Sequence, residues 1–183
     1  MKRGFKAQAE RKSLAEREAL GLTECCRLDP LRLAEAQGVP IIPMSALAEV
    51  PPEHLAQLQK RDPGAFSAAT VVHGCAALVV VNDIHAPERQ ANSIAHELSH
   101  LLLEHEARPA FSSYGARDLD KETEEEADWL AGCLLVPGSG ISATMTACGD
   151  LRGAAVHYGV SVELMRWRYS VTRRSVRKPG PTL

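Results

Sequence analysis

The chain has 183 residues, of which 45% are hydrophobic and 24% charged, and its formal net charge is −2. This composition is ordinary for one globular domain, so it excludes wholesale disorder. The near-neutral net charge argues neither for nor against a nucleic-acid partner. The first 20 residues are charged throughout, and no apolar run approaches the roughly 20 residues of a membrane-spanning helix. We therefore expect a cytoplasmic protein without a signal peptide or a membrane partner.

The five cysteines are odd in number, and no two of them form a CxxC pair. Such a set supports neither a disulfide framework nor a zinc finger. We expect free thiols, as is usual in a reducing compartment.

Helices followed by a β-hairpin are predicted for the first half of the chain. Residues 5–24 alternate acids and bases with Ala and Leu, which predicts an exposed helix. A capped helix over 29–38, a short extended piece over 39–43 and a helix over 53–61 follow. The β-branched runs of 66–82, with a His-Gly pair between them, predict a hairpin.

Helices dominate the second half. The pattern predicts a helix over 86–106, a loop over 107–119, a helix over 121–136 and two short helices within 150–178. The predicted fold class is α+β, mostly helical, with a small antiparallel sheet next to the helix at 86–106. We divide the chain into an N-terminal charged helix (1–27), a core domain (28–149), a C-terminal helical segment (150–178) and a flexible tail (179–183).

The most informative motif is His96-Glu97-Leu98-Ser99-His100. Residues four apart lie on one face of a helix, so both imidazoles can reach a single metal ion. Ile94 and Leu101 lie on the other side and can anchor the helix in the core. The alternative is a surface helix with two histidines and a solvated glutamate. The separated faces favour a metal site, with Glu97 as the catalytic base.

A catalytic zinc ion normally has three protein ligands, so the two histidines need a further partner. The metzincin pattern is excluded, because Leu103 and Glu106 stand where it requires Gly and His. His105 would lie about 140° round a continued helix from His100 and could not reach the same ion. The third ligand therefore has to come from another element.

The acidic helix at 121–136 is the best source of that ligand. Glu126 borders its inward apolar stripe, and we predict it as the third ligand, with Glu122, one turn earlier, as the alternative. We assign Glu124 and Glu125 to the solvated rim of the helix start, where acids favour the helix dipole.

Several strings together resemble the ImmA/IrrE family of zinc metallopeptidases. They are Ala65-Phe66-Ser67, Val79-Val80-Val81-Asn82, Glu88-Arg89-Gln90, HELSH at 96–100, and Glu126-Ala127-Asp128-Trp129-Leu130-Ala131 with Leu134-Leu135-Val136-Pro137. The resemblance implies a zincin-like, gluzincin-like core with Zn2+ held by His96, His100 and Glu126, and with Glu97 catalytic. Ser99 and Leu130 depart from the family's usual Gly and Phe, and both residues are compatible with a helix.

The best-known members of this family cleave helix-turn-helix repressors. The resemblance therefore implies an endopeptidase that cuts such a transcriptional repressor and so derepresses genes. Two further expectations concern substrate binding. Leu78–Val81 would offer a strand edge to an extended substrate, unless the 107–119 loop covers that edge. Tyr114 would donate a hydrogen bond to the oxyanion.

Two other functions stay open at this point. A non-catalytic module could hold zinc structurally and sequester a repressor or antitoxin partner. Six basic residues and no acidic one lie between Arg166 and Lys178, and they could contact DNA phosphates. Direct nucleic-acid binding is the less favoured hypothesis, since the same residues fit a packed helix with a solvated basic face.

Overall fold

The computed structural model describes residues 1–47, 50, 51, 53, 56, 64, 66–74, 76–105 and 121–176. Within these residues it has seven α-helices and a three-stranded sheet, which confirms the α+β prediction. The helices are α1 (Phe5–Ala19), α2 (Pro30–Ala36), α3 (Pro87–Leu102), α4 (Lys121–Leu135), α5 (Ile141–Cys148), α6 (Leu151–Tyr158) and α7 (Val162–Val176). The strands are β1 (Ile41–Pro43), β2 (Ala68–His73) and β3 (Ala76–Val81).

The sheet is mixed, with strand order β1-β3-β2. β2 and β3 form the predicted antiparallel hairpin, which turns at Gly74 with a φ of 60° that suits glycine. β1 pairs parallel with β3, with Ile41 opposite Val79, which corrects the expectation of a purely antiparallel sheet. Long-range packing decides where a three-residue strand pairs, and the local sequence does not carry that information. Because β3 is central, the predicted strand edge at Leu78–Val81 is wrong, and the two edge strands are β1 and β2.

α3 carries the HExxH residues. It begins at Pro87, which suits the first helical position because it lacks an N–H that would need a partner. It ends at Leu102, earlier than predicted. Ile94 and Leu98 are buried on the face that packs against α4 and the sheet. This packing fixes the rotation of α3, so the histidine face lies at the edge of the core.

α4 is the most buried helix of the site. From Glu126 to Leu135, nine of its ten residues are buried. Two buried guanidinium groups donate to carbonyls at its C-terminal end: Arg17 to Leu134 and Arg168 to Val136. Cations at this end satisfy carbonyls that have no helical partner and complement the helix dipole. The position of α4 beside α3 is thus fixed by its packing and by these polar contacts.

α1 is not the exposed helix that its composition predicts. Phe5, Ala9, Ser13 and Arg17, spaced four apart, form a buried stripe, and α1 packs against α4. This buried stripe was not recognised in the sequence, because two of its four residues are polar. The N-terminal segment therefore contributes to the same hydrophobic core as the site helices, while the division of the chain into segments stays a prediction.

The C-terminal segment is helical, as predicted, and Gly159 separates α6 from α7 with a φ of 68°. α5 was not predicted, since it is short and no side chain caps its start. The predicted loop at 107–119 and tail at 179–183 lie outside the described residues, as does most of the predicted helix at 53–61.

In the described part of the chain, no single helix has the length and apolar character needed to cross a membrane. The bent pair Lys121–Leu135 and Gly138–Cys148, taken together, would have them by length and composition alone.

Candidate metal centre

His96 and His100 converge on one point, as their spacing predicts. Their Nε2 atoms are 3.1 Å apart. The two side chains are 20% and 21% exposed. The pair is therefore held firmly on one side by the core and is open to solvent on the other.

Glu124, on the first turns of α4, brings a third donor to this pair. Its carboxylate oxygens lie 3.4 Å from Nε2 of His96 and 3.5 Å from Nε2 of His100. Two ligands of a tetrahedral zinc ion, at 2.0–2.1 Å from the metal, lie about 3.3 Å apart. The three side chains could thus hold a metal ion, and their spacing and their nitrogen and oxygen donors fit zinc.

Glu126, the predicted third ligand, is directed elsewhere. It is 5% exposed, and its Oε2 atom lies 3.5 Å from Nε2 of His105. Its Oε1 atom accepts the backbone N–H of Lys2 at 3.3 Å. Residues two apart on a helix project about 200° from each other, so Glu124 and Glu126 cannot serve the same point.

Glu122, the alternative ligand, lies 2.9 Å from the N-terminal ammonium of Met1. Glu124, which was expected on the solvated rim, is therefore the described acid of α4 that approaches Nε2 of both His96 and His100. The physical reason is that the histidine pair lies at the edge of the core, so its third partner comes from the half-exposed side of α4.

Asp128 holds the other ring nitrogen of His96, with Oδ1 2.9 Å from Nδ1. It lies one turn after Glu124, on the same face of α4. A carboxylate on Nδ1 favours the tautomer that leaves Nε2 free for a metal. Asp128 was not predicted from the sequence, although its spacing of four from Glu124 is a signal that points to it once Glu124 is recognised.

Glu97 lies beside the group of three donors and is held by the edge strand. Its Oε2 atom accepts the backbone N–H of Thr70 at 2.9 Å and the Thr70 hydroxyl at 2.6 Å. Burial lowers the pKa of both His96 and His100, and the negative charge of Glu97 opposes that effect. Thr70 was also missed, because no sequence pattern links a strand residue to a helix residue 27 positions away.

The two histidines differ in their preference for a proton. Burial lowers the pKa of His96, but the hydrogen bond and charge of Asp128, with the charges of Glu97 and Glu124, raise it more, so it lies above the ordinary value. Burial and the neighbouring His96 hold the pKa of His100 below the ordinary value. Metals bind neutral imidazole, so His100 is ready to bind, whereas His96 has to release a proton when it is charged.

Tyr114, the predicted oxyanion donor, lies outside the described residues. Its role stays a prediction.

A comparison with protein-family models finds a match to the part of the chain that carries the candidate metal centre. The model for the IrrE N-terminal-like domain of the M78 peptidases matches residues 34–170, most of the 183 residues. This span includes β2, α3 and α4, which carry all the side chains of the candidate centre. No curated protein matches the chain significantly.

Proposed function

The chain belongs to the M78 peptidase family, and from this premise we propose that it is a zinc-dependent endopeptidase acting on a protein substrate. One observation carries the proposal: His96, His100 and Glu124 converge, with Glu97 held beside them. We further propose that the substrate is a helix-turn-helix transcriptional repressor, whose cleavage derepresses genes. This part rests on the resemblance to the ImmA/IrrE family.

His96, His100 and Glu124 would hold the zinc ion. When bound, zinc lowers the pKa of a coordinated water towards about 7 and polarises a substrate carbonyl. Glu97 is outside the ligand group, so its carboxylate is available as a general base. It takes a proton from the attacking water and delivers it to the leaving amine nitrogen. The water oxygen bonds to the carbonyl carbon and the C–N bond breaks, which completes hydrolysis.

The edge strand β2 supports binding of an extended substrate segment. Within the described residues, β2 pairs with β3 alone. The Ser67 carbonyl accepts the Asn82 N–H on the β3 side. By the alternation of antiparallel strands, Ala68, Thr70 and Val72 therefore direct their backbone groups away from β3, and the Thr70 N–H already donates to Glu97 there. A peptide paired with this edge would lie next to Glu97, which Thr70 holds.

A cavity of about 500 Å³ lies beside β2 and α3 and could accept an apolar side chain of the substrate. Its walls include Val71 and His73 of β2 and Leu98 and Leu101 of α3. These are the same two elements that carry the catalytic groups. We propose that an apolar side chain of the bound segment enters this cavity.

The test is to incubate the purified, zinc-loaded protein with a helix-turn-helix repressor encoded next to its gene. We expect the wild-type protein to cut the repressor. Glu97→Gln should retain zinc but lose cleavage, because an amide cannot accept the proton. Glu88→Gln removes an exposed acid from the first turn of the same helix and should keep both properties. Cleavage by Glu97→Gln at the wild-type rate would contradict the proposal.

The same experiment addresses the sequestration hypothesis. If Glu97→Gln relieves repression in cells as fully as the wild type does, binding rather than cleavage is the activity. The DNA-binding hypothesis concerns the basic residues of α7, of which Arg166 and Arg173 are exposed in the described part. There Arg168 is fully buried and donates to Val136 and Glu10, so it is committed to the core.

A further inference from the structure

The turn that ends α3 folds His105 back onto His100. Glu104 has a φ of 55° and is, among the described residues, the one non-glycine with a positive φ. A left-handed residue after a helix reverses the chain direction, and the His105 N–H donates to the His100 carbonyl at 3.0 Å. The sequence expectation that places His105 about 140° round the helix fails because α3 ends at Leu102.

His105 thereby contacts the side of His100 that faces away from the candidate centre. The Nδ1 atoms of the two rings are 3.0 Å apart. Nε2 of His100 faces His96 and Glu124. Within the described site, His105 is thus placed to orient His100 rather than to join the ligand group.

Glu126 continues the contact on the far side of His105. Its Oε2 atom lies 3.5 Å from Nε2 of His105, whose side chain is 11% exposed. A buried carboxylate is costly unless a partner compensates it, and Nε2 of His105 lies within ion-pair distance of this oxygen. The predicted ligand Glu126 is therefore close to the centre but separated from it by one ring.

One arrangement of protons satisfies all three groups when both rings are neutral and Glu126 is ionised. His105 donates Nε2–H to Glu126, and His100 donates Nδ1–H to Nδ1 of His105. Nε2 of His100 then keeps its lone pair on the side of Glu124. This is the tautomer that a metal requires.

We propose that Glu126 and His105 form a positioning relay that holds His100 in its metal-binding tautomer. The proposal rests on the zinc centre of the proposed function. Both ligand histidines are then held through Nδ1 by a carboxylate of α4: His96 directly by Asp128, and His100 by Glu126 through His105. Glu126 and His105 are positioning residues and do not bind the ion themselves.

The experiment measures the zinc affinity of the full chain by competition with a chromogenic chelator, with zinc sulfate as the probe. We expect His105→Ala and Glu126→Gln each to weaken zinc binding by about 10- to 100-fold. His105→Asn keeps an acceptor near the position of Nδ1 and should recover most of the affinity. Glu125→Gln removes an exposed neighbouring charge on α4 and should leave the affinity unchanged.

A double variant distinguishes a relay from direct metal binding. Because Glu126 acts through His105, the variant carrying both His105→Ala and Glu126→Gln should bind zinc as weakly as His105→Ala alone. Fully additive losses would overturn the proposal, since they would mean that Glu126 reaches the ion independently. A merely structural role would lower the melting temperature of the zinc-free variants and leave their zinc affinity intact.

The relay and the proposed zinc centre fail in different ways. If the wild-type chain binds zinc and the single variants bind it equally well, the relay is overturned and the centre stands. If the wild-type chain does not bind zinc, both are overturned.

Discussion

Thr70 donates both its backbone N–H and its hydroxyl to a single oxygen of Glu97, at 2.9 and 2.6 Å. The residue belongs to the edge strand on which an extended substrate would pair. One residue thus connects the proposed substrate-binding edge to the proposed catalytic base. The carboxylate is kept in one orientation beside the ligand group.

Replacing Thr70 by valine should lower the cleavage rate by about 10- to 100-fold, because a hydrogen bond to a charged group contributes about 1.5–3 kcal/mol. The zinc affinity should not change, since Thr70 contacts the base and not a ligand. Thr70→Ser keeps the hydroxyl and should retain most of the activity. Rates of repressor cleavage and chelator competition measure the two effects. Wild-type cleavage by Thr70→Val would show that this contact does not position Glu97.

Asp128→Ala should weaken zinc binding by about 10- to 100-fold, since His96 would lose the group that fixes its tautomer. Asp128→Asn keeps an acceptor for Nδ1–H and should lose much less. The side chain is 69% exposed, so the unfolding free energy of the zinc-free protein should change by less than about 0.5 kcal/mol. Equal zinc affinities of Asp128→Ala and the wild type would contradict this role.

Arg17→Met should lower the free energy of unfolding by about 3 kcal/mol, because buried carbonyls would lose their donor. Arg17 donates to the carbonyls of Leu134, Thr23 and Cys26. Arg11→Met, at an exposed position of the same helix, is the control and should stay within about 0.5 kcal/mol of the wild type. Urea unfolding followed by circular dichroism measures the difference. A loss no larger than that of the control would rule out the anchoring role of Arg17.

The free cysteines should differ in reactivity. Burial raises the pKa of the Cys133 thiol to about 12. The hydrogen bond with Thr23 holds the pKa of Cys26 below its ordinary value. Because the thiolate is the reactive form, iodoacetamide at pH 8 should modify Cys26 early and Cys133 last in the native protein. Peptide mass spectrometry reads the order, and labelling of Cys133 as fast as Cys26 would contradict it.

The spacing in HELSH was enough to predict that the side chains of His96 and His100 meet, because helix geometry alone places residues four apart together. The same local argument selected Glu126 on α4, since it borders the apolar stripe. The rotation of α4 relative to α3 is a tertiary property, and it brings Glu124 rather than Glu126 next to the Nε2 atoms of both histidines. The half-exposed Glu124 meets the histidines, and the buried Glu126 lies behind them.

Local sequence patterns also predicted only part of the fold. The hairpin was predictable because its signals are local and include a glycine at the turn. The parallel pairing of β1 was not, since three residues carry too little pattern. The reversal at Glu104 was also hidden, because a non-glycine residue rarely adopts a positive φ and gives no warning in the sequence. His105 therefore could not be assigned to the site before the structure was known.

The most direct test of the proposed zinc centre is an anomalous difference map, recorded at the zinc absorption edge from crystals of the zinc-loaded protein. We expect one strong peak bonded to Nε2 of His96, Nε2 of His100 and the carboxylate of Glu124. A peak bonded to Glu126 or His105 in place of Glu124, or no peak beside the two histidines, would contradict it.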